Sequence, residues 1–338
     1  MSASVIGLDT AKNVFQVHGV DERGRVVLRR RLRRGQVTDF FANLPICTIG
    51  LEATQGAHHW ARVLATFGHT VRLVAPQFVK PYLQSQKNDR NDAAAICEAI
   101  SRPHMRFVTA KTIEQQDLQA LHRIRSRLIG CRTQASNQIR GLLAEYGIVL
   151  PQNLAHVRQA LPLLTDDAET RLSSFAKELF SSMYEELCGL DERILGLETK
   201  LKQVFLCNPL CQRISAIEGI GPVTATAVVA AISDGSAFEN GRQFAAWLGL
   251  VPRQHSSGDK QRLSGITKRG DPHLRTLLIH GCRSVLYRCE GKSDPRSKWI
   301  AEKKRKLGMA RACVAVANKN ARIIWALLAH DEPYRRAA

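Results

Sequence analysis

The 338-residue chain has no uninterrupted apolar run long enough to span a bilayer, and Met1-Ser2-Ala3-Ser4 does not open a signal-peptide pattern. The expectation is therefore a soluble, cytoplasmic protein with no membrane partner. No Gly-x-Gly-x-x-Gly and no Walker-type loop occurs, so a dinucleotide or P-loop cofactor has no support. Zinc-finger spacing is missing too: the nine cysteines are an odd number scattered through apolar segments, and the close pair Cys207 and Cys211 has no second knuckle. They read as reduced core residues. Negative charge is scarce, with 30 Asp and Glu against 49 Lys and Arg, a formal +19 and a pI near 10.0. That balance points to a polyanionic partner, nucleic acid first.

A hydrophobic content of 44% suffices for packed cores, and the length calls for two or three domains. The spacing predicts strands over 5–9, 14–20 and 26–31, with a turn at 21–25, which makes a three-strand meander. A short helix near 37–44, a strand ending at Glu52, a helix over 57–67 and a strand over 71–74 follow. An antiparallel start followed by crossover helices is what an RNase H-like sheet requires, although other α/β folds share the pattern. From Ile113 to Tyr146 there is no proline and only two glycines, so a long amphipathic helix is expected, with Leu118, Leu121, Ile124, Leu128, Ile139, Leu142 and Leu143 on its apolar side. A second is expected over 168–205, with Leu172, Phe175, Leu179, Met183, Leu187, Leu190, Ile194, Leu197 and Leu201 on one stripe. Together they suggest an antiparallel coiled coil joining protomers, or an ordinary helical subdomain. Beyond Cys207 the chain turns compact and helical. There Gly219 and Gly221, in Glu218-Gly219-Ile220-Gly221-Pro222, look like a helix-hairpin-helix turn able to hold a phosphate; a plain capped helix start uses the same residues.

Four acids are the candidates for chemistry. Asp9 and Glu52 each end an apolar strand, and Asp89 and Asp92 stand at i and i+3 near a helix start, where both can face one point. Singly each is an ordinary exposed acid. Together in one α/β domain they form a set of hard oxygen ligands suited to Mg²⁺, and two such ions could bracket a phosphate. The run Arg29, Arg30, Arg31, Arg33 and Arg34, with Arg23 and Arg25 across the turn, offers phosphate contacts beyond what edge protection requires. Lys303 to Lys306 with Arg311, Lys319 and Arg322 form a second basic cluster. In the polar stretch 252–271, Ser256 and Ser257 lie beside Arg253, Lys268 and Arg269; most serines in such loops only cap turns.

Gly7-Leu8-Asp9-Thr10-Ala11-Lys12, Leu51-Glu52-Ala53-Thr54, the segment 75–81, Asn88-Asp89-Arg90-Asn91-Asp92-Ala93, Asn137-Gln138-Ile139-Arg140-Gly141-Leu142-Leu143 and Phe244-Ala245-Ala246-Trp247-Leu248-Gly249-Leu250-Val251-Pro252-Arg253 occur in the order of one family's blocks. On these residues the chain resembles the DEDD transposases of the insertion-sequence one-ten family, and within it the eleven-eleven subgroup. The resemblance implies a RuvC-like catalytic domain over 1–110, a helical coiled-coil segment over 111–206 and a mainly helical transposase domain over 207–330. It further implies that Asp9, Glu52, Asp89 and Asp92 hold Mg²⁺ and that Ser257, with Ser256 as the alternative, forms a covalent phosphoserine with DNA. Such enzymes join donor and target DNA under guidance of a structured bridge RNA, as dimers or tetramers in which one protomer's serine completes another's acidic site. Asp259 and Ser264 depart from the family pattern, both standing where glycine is common. The rival readings are a junction-resolving or hydrolytic nuclease using the four acids without a serine adduct, and a non-catalytic nucleic-acid binding protein.

Overall fold

Strict alternation of apolar side chains draws the first hundred residues into a six-stranded sheet. The structure is a computed structural model that describes residues 2–83, 88–232, 235–258 and 260–334, the side chain of Asp89 excepted. It divides into two compact units, Met1–Ile113 and Glu114–Ala338.

In the first unit the elements are β1 (Val5–Thr10), β2 (Val14–Val20), β3 (Val26–Arg33), α1 (Val37–Ala42), β4 (Thr48–Glu52), α2 (Ala57–Thr66), β5 (Thr70–Val74), α3 (Pro76–Val79), α4 (Asp89–Ile100) and β6 (Phe107–Val108). The strand order is β3-β2-β1-β4-β5-β6. The first three strands form an antiparallel meander, β1, β4 and β5 run parallel, and β6 is antiparallel to β5. This mixed order is the arrangement expected of an RNase H-like sheet, and β6 is a strand that the sequence pattern does not announce.

The two faces of the sheet differ. On one, Ile6, Leu8, Phe15, Val17, Ile49, Leu51 and Leu73 pack with Val37 and Phe41 of α1 and Trp60 and Leu64 of α2. The other is covered by α4, and there β1 and β4 carry glycine at paired positions, Gly7 opposite Gly50. A Cβ on Gly7 would run into the Ala93 carbonyl and the backbone of Cys97, and one on Gly50 would collide with Ile100. Missing side chains thus let α4 lie directly on the strands, and the Cys97 thiol reaches the Val5 carbonyl at 3.6 Å. Asn88 caps the helix, its side chain accepting from Asn91 N at 2.9 Å.

The second unit contains α5 (Ile113–Glu145), α6 (Leu154–Asp166), α7 (Ser174–Cys207), α8 (Pro209–Ser215), α9 (Pro222–Ala231), α10 (Gly241–Trp247), a hairpin of β7 (Pro252–Gln254) and β8 (Leu263–Ile266), then α11 (Pro272–Tyr287), α12 (Pro295–Leu307) and α13 (Met309–His330). Asx-Pro pairs start three of these helices: Asn208, Asp271 and Asp294 each accept a first-turn N–H, and proline occupies the next position, where no N–H is needed.

α5 and α7 run in opposite directions, tied by Arg125 to Glu198 at 2.5 Å and by Arg132 to Asp191 at 2.9 Å, seven residues apart on both helices. Arg158 of α6 also pairs with Asp191, so three helices meet at one carboxylate. Both long helices expected from the sequence are present as α5 and α7, and a third helix that was not expected, α6, shares their core and buries Val157 and Leu161 in it. Its proline, Pro162, and its flanking breaks obscure the helical pattern. The stripe on α7 also differs from the expectation: Phe175 and Leu179 are 69% and 50% exposed, while Ala176 and Phe180 are buried. On α5, Ile124 and Leu142 face outward as well.

The C-terminal core gathers α8 to α13 around Val228, Phe244, Leu278, Cys282 and Val316. α13 is long and apolar enough to cross a membrane, yet half of its most apolar window is buried, with Val316, Ala317, Ala321 and Ile324 inside this core. Six of the nine cysteines are buried, and none forms a disulfide.

Candidate functional site

Strand register decides where the acids go. Leu8 pairs with Leu51 in parallel, and both point to the α1–α2 face, so the residues after them, Asp9 and Glu52, point to the face covered by α4. α4 crosses that face with Cys97 over Val5 and Ala93 over Gly7. At its other end Ile100 lies on Gly50, and Arg90 near its start lies beside His18 and Arg29, so α4 crosses the strands from β4 toward β2 and β3. β1 and β4 therefore turn Asp9 and Glu52 onto the same face that α4, the helix carrying Asp89 and Asp92, covers.

Hard carboxylate oxygens are the donor chemistry that a Mg²⁺-like ion takes. Among the described residues no group of three or more His, Cys, Asp or Glu is gathered closely enough to hold a metal ion, and the side chain of Asp89 lies outside them. The residue types and their shared face fit a hard divalent ion, while Asp9, Glu52 and Asp92 alone do not form a closed cage.

Beside the acids the same face turns basic. Asp9 is opposite Gln16, and Gln16 is opposite Arg31; the next row is Gly7, His18 and Arg29. Arg31 thus stands two strand spacings, about 10 Å, from Asp9. A groove of about 180 Å³ runs along these rows, bounded by Gln16, His18, Arg29, Arg31 and, from α4, Arg90. Partial burial, with Arg29 and Arg90 close by, pushes the His18 pKa down. The arginine run divides by strand alternation: Arg29, Arg31 and Arg33 share the acid-bearing face, and Arg30 belongs to the opposite one. Arg34 packs its guanidinium over the rings of Phe15 and Trp60, 5.9 and 5.4 Å from their centroids.

In the second unit Ser257 occupies the end of an exposed arm. The β7–β8 ladder continues through His255 N to Arg262 O at 3.0 Å and closes with a bridge between Ser257 and Lys260. Ser257 is one residue from the tip, next to Gly258, whose φ of +56° suits the turn; Asp259 lies outside the described residues. The two candidate serines differ in setting. Ser256 Oγ accepts from Gln254 Nε2 at 3.0 Å and from Arg262 N at 3.4 Å, whereas the Ser257 hydroxyl makes no hydrogen bond among the described residues. Arg253, Lys268 and Arg269 are all exposed around the base of the arm. Ser264 is exposed on β8.

Gly219 has φ of +87° and packs against the α11 backbone, where a Cβ would strike the Gly281 carbonyl. Close packing alone accounts for that glycine. Gly221 is the N-cap of α9 and is exposed, with open space around it. The second basic cluster splits in two. Lys304 pairs with Glu290 and Lys306 with Glu302 on the surface. Arg311, Lys319 and Arg322 instead line a cleft of about 1240 Å³ with Trp299. Sequence reading missed Trp299, which carries Lys319 Nζ 4.2 Å from its ring centroid; an aromatic four residues ahead of a basic run is the signal that could have found it.

Comparison with known proteins gives matches across both units. A family described as "Transposase IS116/IS110/IS902 family" matches residues 211–298, and a DEDD-type family of the IS110 class, described as "Transposase", matches residues 6–148. The chain is 51% identical over 338 residues to a "Probable family 20 transposase" of Pseudomonas aeruginosa, covering 99% of each protein. It is 48% identical over 334 residues to the transposase for insertion sequence element IS1111A of Coxiella burnetii, covering 99% of this chain and 92% of the relative. Against the transposase for insertion sequence element IS1328 of Yersinia enterocolitica it is 40% identical over 325 residues, 96% of each.

Proposed function

Since the chain belongs to the IS110/IS1111 family of insertion-sequence transposases, we propose that it cuts and rejoins DNA by way of a phosphoserine on Ser257, with Asp9, Glu52, Asp89 and Asp92 as ligands for Mg²⁺. The observation that carries the reading is the strand register that turns Asp9 and Glu52 onto the face crossed by α4. The exposed arm supports the choice of Ser257 over Ser256, because only the former presents a hydroxyl with no loop partner among the described residues.

In this mechanism the Ser257 oxygen forms a bond to phosphorus while the bond from phosphorus to the departing deoxyribose oxygen breaks. The serine proton passes to solvent, and the departing oxygen is released as a hydroxyl. Reversal with a different strand's hydroxyl rejoins the DNA and frees the serine. Asp9, Glu52, Asp89 and Asp92 would hold the divalent ions, which when bound would supply Lewis-acid stabilisation of charge developing on the phosphoryl oxygens. Arg29 and Arg31 hold the phosphodiester backbone beside the acids, and the cleft containing Arg311, Lys319 and Trp299 holds a second stretch of nucleic acid. The excess of cations suits a homo-oligomer that binds a structured guide RNA together with donor and target DNA.

The test uses strand-labelled DNA carrying the element's ends, the full-length protein purified without nuclease treatment, and Mg²⁺. Label should travel with denatured protein, and Ser257→Ala should abolish it while Ser256→Ala retains it. Asp9→Asn, Glu52→Gln and Asp92→Asn should each remove the adduct in folded protein. Cleavage by Ser257→Ala at the wild-type rate would replace this reading with water-mediated hydrolysis. Sequencing the co-purified RNA tests the guide, which predicts one structured species from the element's flank.

A further inference from the structure

α13 has two faces. Ala312, Val316, Ala317, Asn320 and Ile324 are buried on one. Arg311, Ala315, Lys319, Arg322 and Ala326, spaced three or four residues apart, form a second stripe that walls the cleft of about 1240 Å³ in the second unit. Along the helix axis Arg311 and Arg322 stand about 16 Å apart.

Five cations line this cleft, Arg242, Arg296, Arg311, Lys319 and Arg322, and no carboxylate does among the described residues. Arg296 is bound into the fold: it donates to Asn320 Oδ1 at 2.5 Å and to the Tyr334 hydroxyl at 3.3 Å, and its Nε stands 3.5 Å from Glu218. Lys319 and Arg322 form no ion pair among the described residues. Lys319 is half-buried, with its ammonium 4.2 Å from the Trp299 ring centroid. Burial first, then Arg296 and Arg322, pull its pKa below the ordinary lysine value. Like charges crowd one recess, and an entering anion relieves their repulsion.

Between the cations the walls are apolar, with Leu250, Ile266, Val314, Ile323 and Leu327. A polyanion that also has apolar faces to bury suits such a lining. An unpaired nucleic-acid strand is one, whereas a duplex stacks its bases inside and presents charged backbone and polar groove edges. The volume exceeds the range of about 300–1,000 Å³ for single small-molecule sites, so a run of joined units fits better. A span of about 16 Å corresponds to about five nucleotides at a rise of about 3.4 Å each.

Hydrogen-bond acceptors decide between the sugars. Asn240 Oδ1 is taken by Arg242 N and Gln243 N, both at 3.0 Å, and the Tyr334 hydroxyl by Arg296. A ribose 2′-hydroxyl pressed against this lining loses water and finds little to donate to, a penalty that deoxyribose escapes. Strand exchange supplies the matching ligand, since a strand cut from its duplex stays unpaired until it is rejoined. We propose that this cleft binds a single unpaired DNA strand, with Arg311, Lys319 and Arg322 meeting its phosphates and its bases lying on the apolar walls. The proposal deepens the reading of the cleft as a nucleic-acid seat and rests on it, but not on Ser257 or the four acids.

The experiment photocrosslinks the full-length protein to a strand of about twelve deoxythymidines carrying 4-thiothymidine, a length within the roughly 4–16 nucleotides of single-strand sites. Adducts mapped by mass spectrometry should fall on peptides of α12 and α13. Unlabelled oligodeoxythymidine should compete for them at about tenfold lower concentration than its duplex with oligodeoxyadenosine, or than oligoribothymidine, which differs only in its 2′-hydroxyls. Lys319→Gln combined with Arg322→Gln should lower the cleft yield about tenfold, and Arg322→Gln alone, at an exposed position, by a smaller factor. Lys306→Gln removes one such charge outside the cleft and should leave the yield unchanged. Circular dichroism checks that each variant is folded. Absence of adducts on α12 and α13, a yield unmoved by these Gln variants, or RNA competing as well as DNA would each overturn the proposal. Duplex competing equally would overturn the single-strand claim and spare the cleft as a nucleic-acid seat. A normal Ser257 adduct in protein without cleft adducts separates failure here from failure of the serine chemistry.

Discussion

Replacing Gly7 by alanine tests the packing on which the acidic site depends. A strand interior ordinarily gains about 0.5–1 kcal/mol when glycine becomes alanine, because the unfolded chain loses freedom. Here the new methyl group would strike the Ala93 carbonyl and the Cys97 backbone of α4. Overpacking costs about 1–3 kcal/mol, and the upper end applies because a helix backbone has no rotamer to yield. The net expectation is a loss of about 2 kcal/mol, localised to β1 and α4. Gly50→Ala should cost less, since it meets only the Ile100 side chain, and Gly35→Ala, with open space around it, should be nearly neutral. Hydrogen exchange of the folded protein, followed by mass spectrometry on peptides from β1 and α4, reads this directly. About 2 kcal/mol corresponds to roughly thirty-fold faster exchange in those peptides. Lifting α4 also moves Asp92 away from Asp9, so Mg²⁺-dependent adduct formation should fall further than the loss of folded protein explains. Wild-type exchange and activity in Gly7→Ala would refute the claim that a close helix–sheet approach assembles the acids.

Replacing Leu187 by alanine should lower stability by about 2–5 kcal/mol, whereas Phe175→Ala and Leu179→Ala should stay within about 0.5 kcal/mol, as denaturant titration can check. Double replacement of Arg29 and Arg31 by alanine should reduce the slope of log affinity against log salt by roughly 2 on duplex DNA, and Arg30→Ala should leave adduct formation closer to wild type. Burial above all, then His273 and Arg125, against an opposing pull from Asp271, lowers the His122 pKa to about 4. The unfolded chain binds this proton below its ordinary value of 6.5 and the folded chain does not. Stability from this group is thus complete above pH 6.5 and declines as pH falls toward about 4, by up to roughly 3 kcal/mol. Thermal unfolding from pH 7 to pH 4 should show that decline, and His122→Gln should flatten it.

The meander and the acid-bearing ends of β1 and β4 were legible because period-two alternation and strand termini are local properties. So was the start of α4, which Asn88 marks as a cap. The face that α4 covers was not, since it depends on Gly7 and Gly50 pairing across strands that lie far apart in sequence. The seam on α7 slipped by one residue at its start because Phe175 and Leu179 are as apolar as any core residue. Ala176 and Phe180 are buried instead, continuing through Met183, Leu187, Leu190 and Ile194 at spacings of three and four. Helix α6 escaped notice behind Pro162, and the hydrogen bond between His122 and Thr226 could not be read because the two lie about a hundred residues apart, on α5 and α9.

The arm that carries Ser257 buries almost nothing; even Leu263 is 65% exposed. Substitutions there escape the quality control that folding imposes on a core. Under the proposed serine chemistry, a protein altered only along this arm should therefore stay folded and keep its cationic surfaces while losing strand exchange.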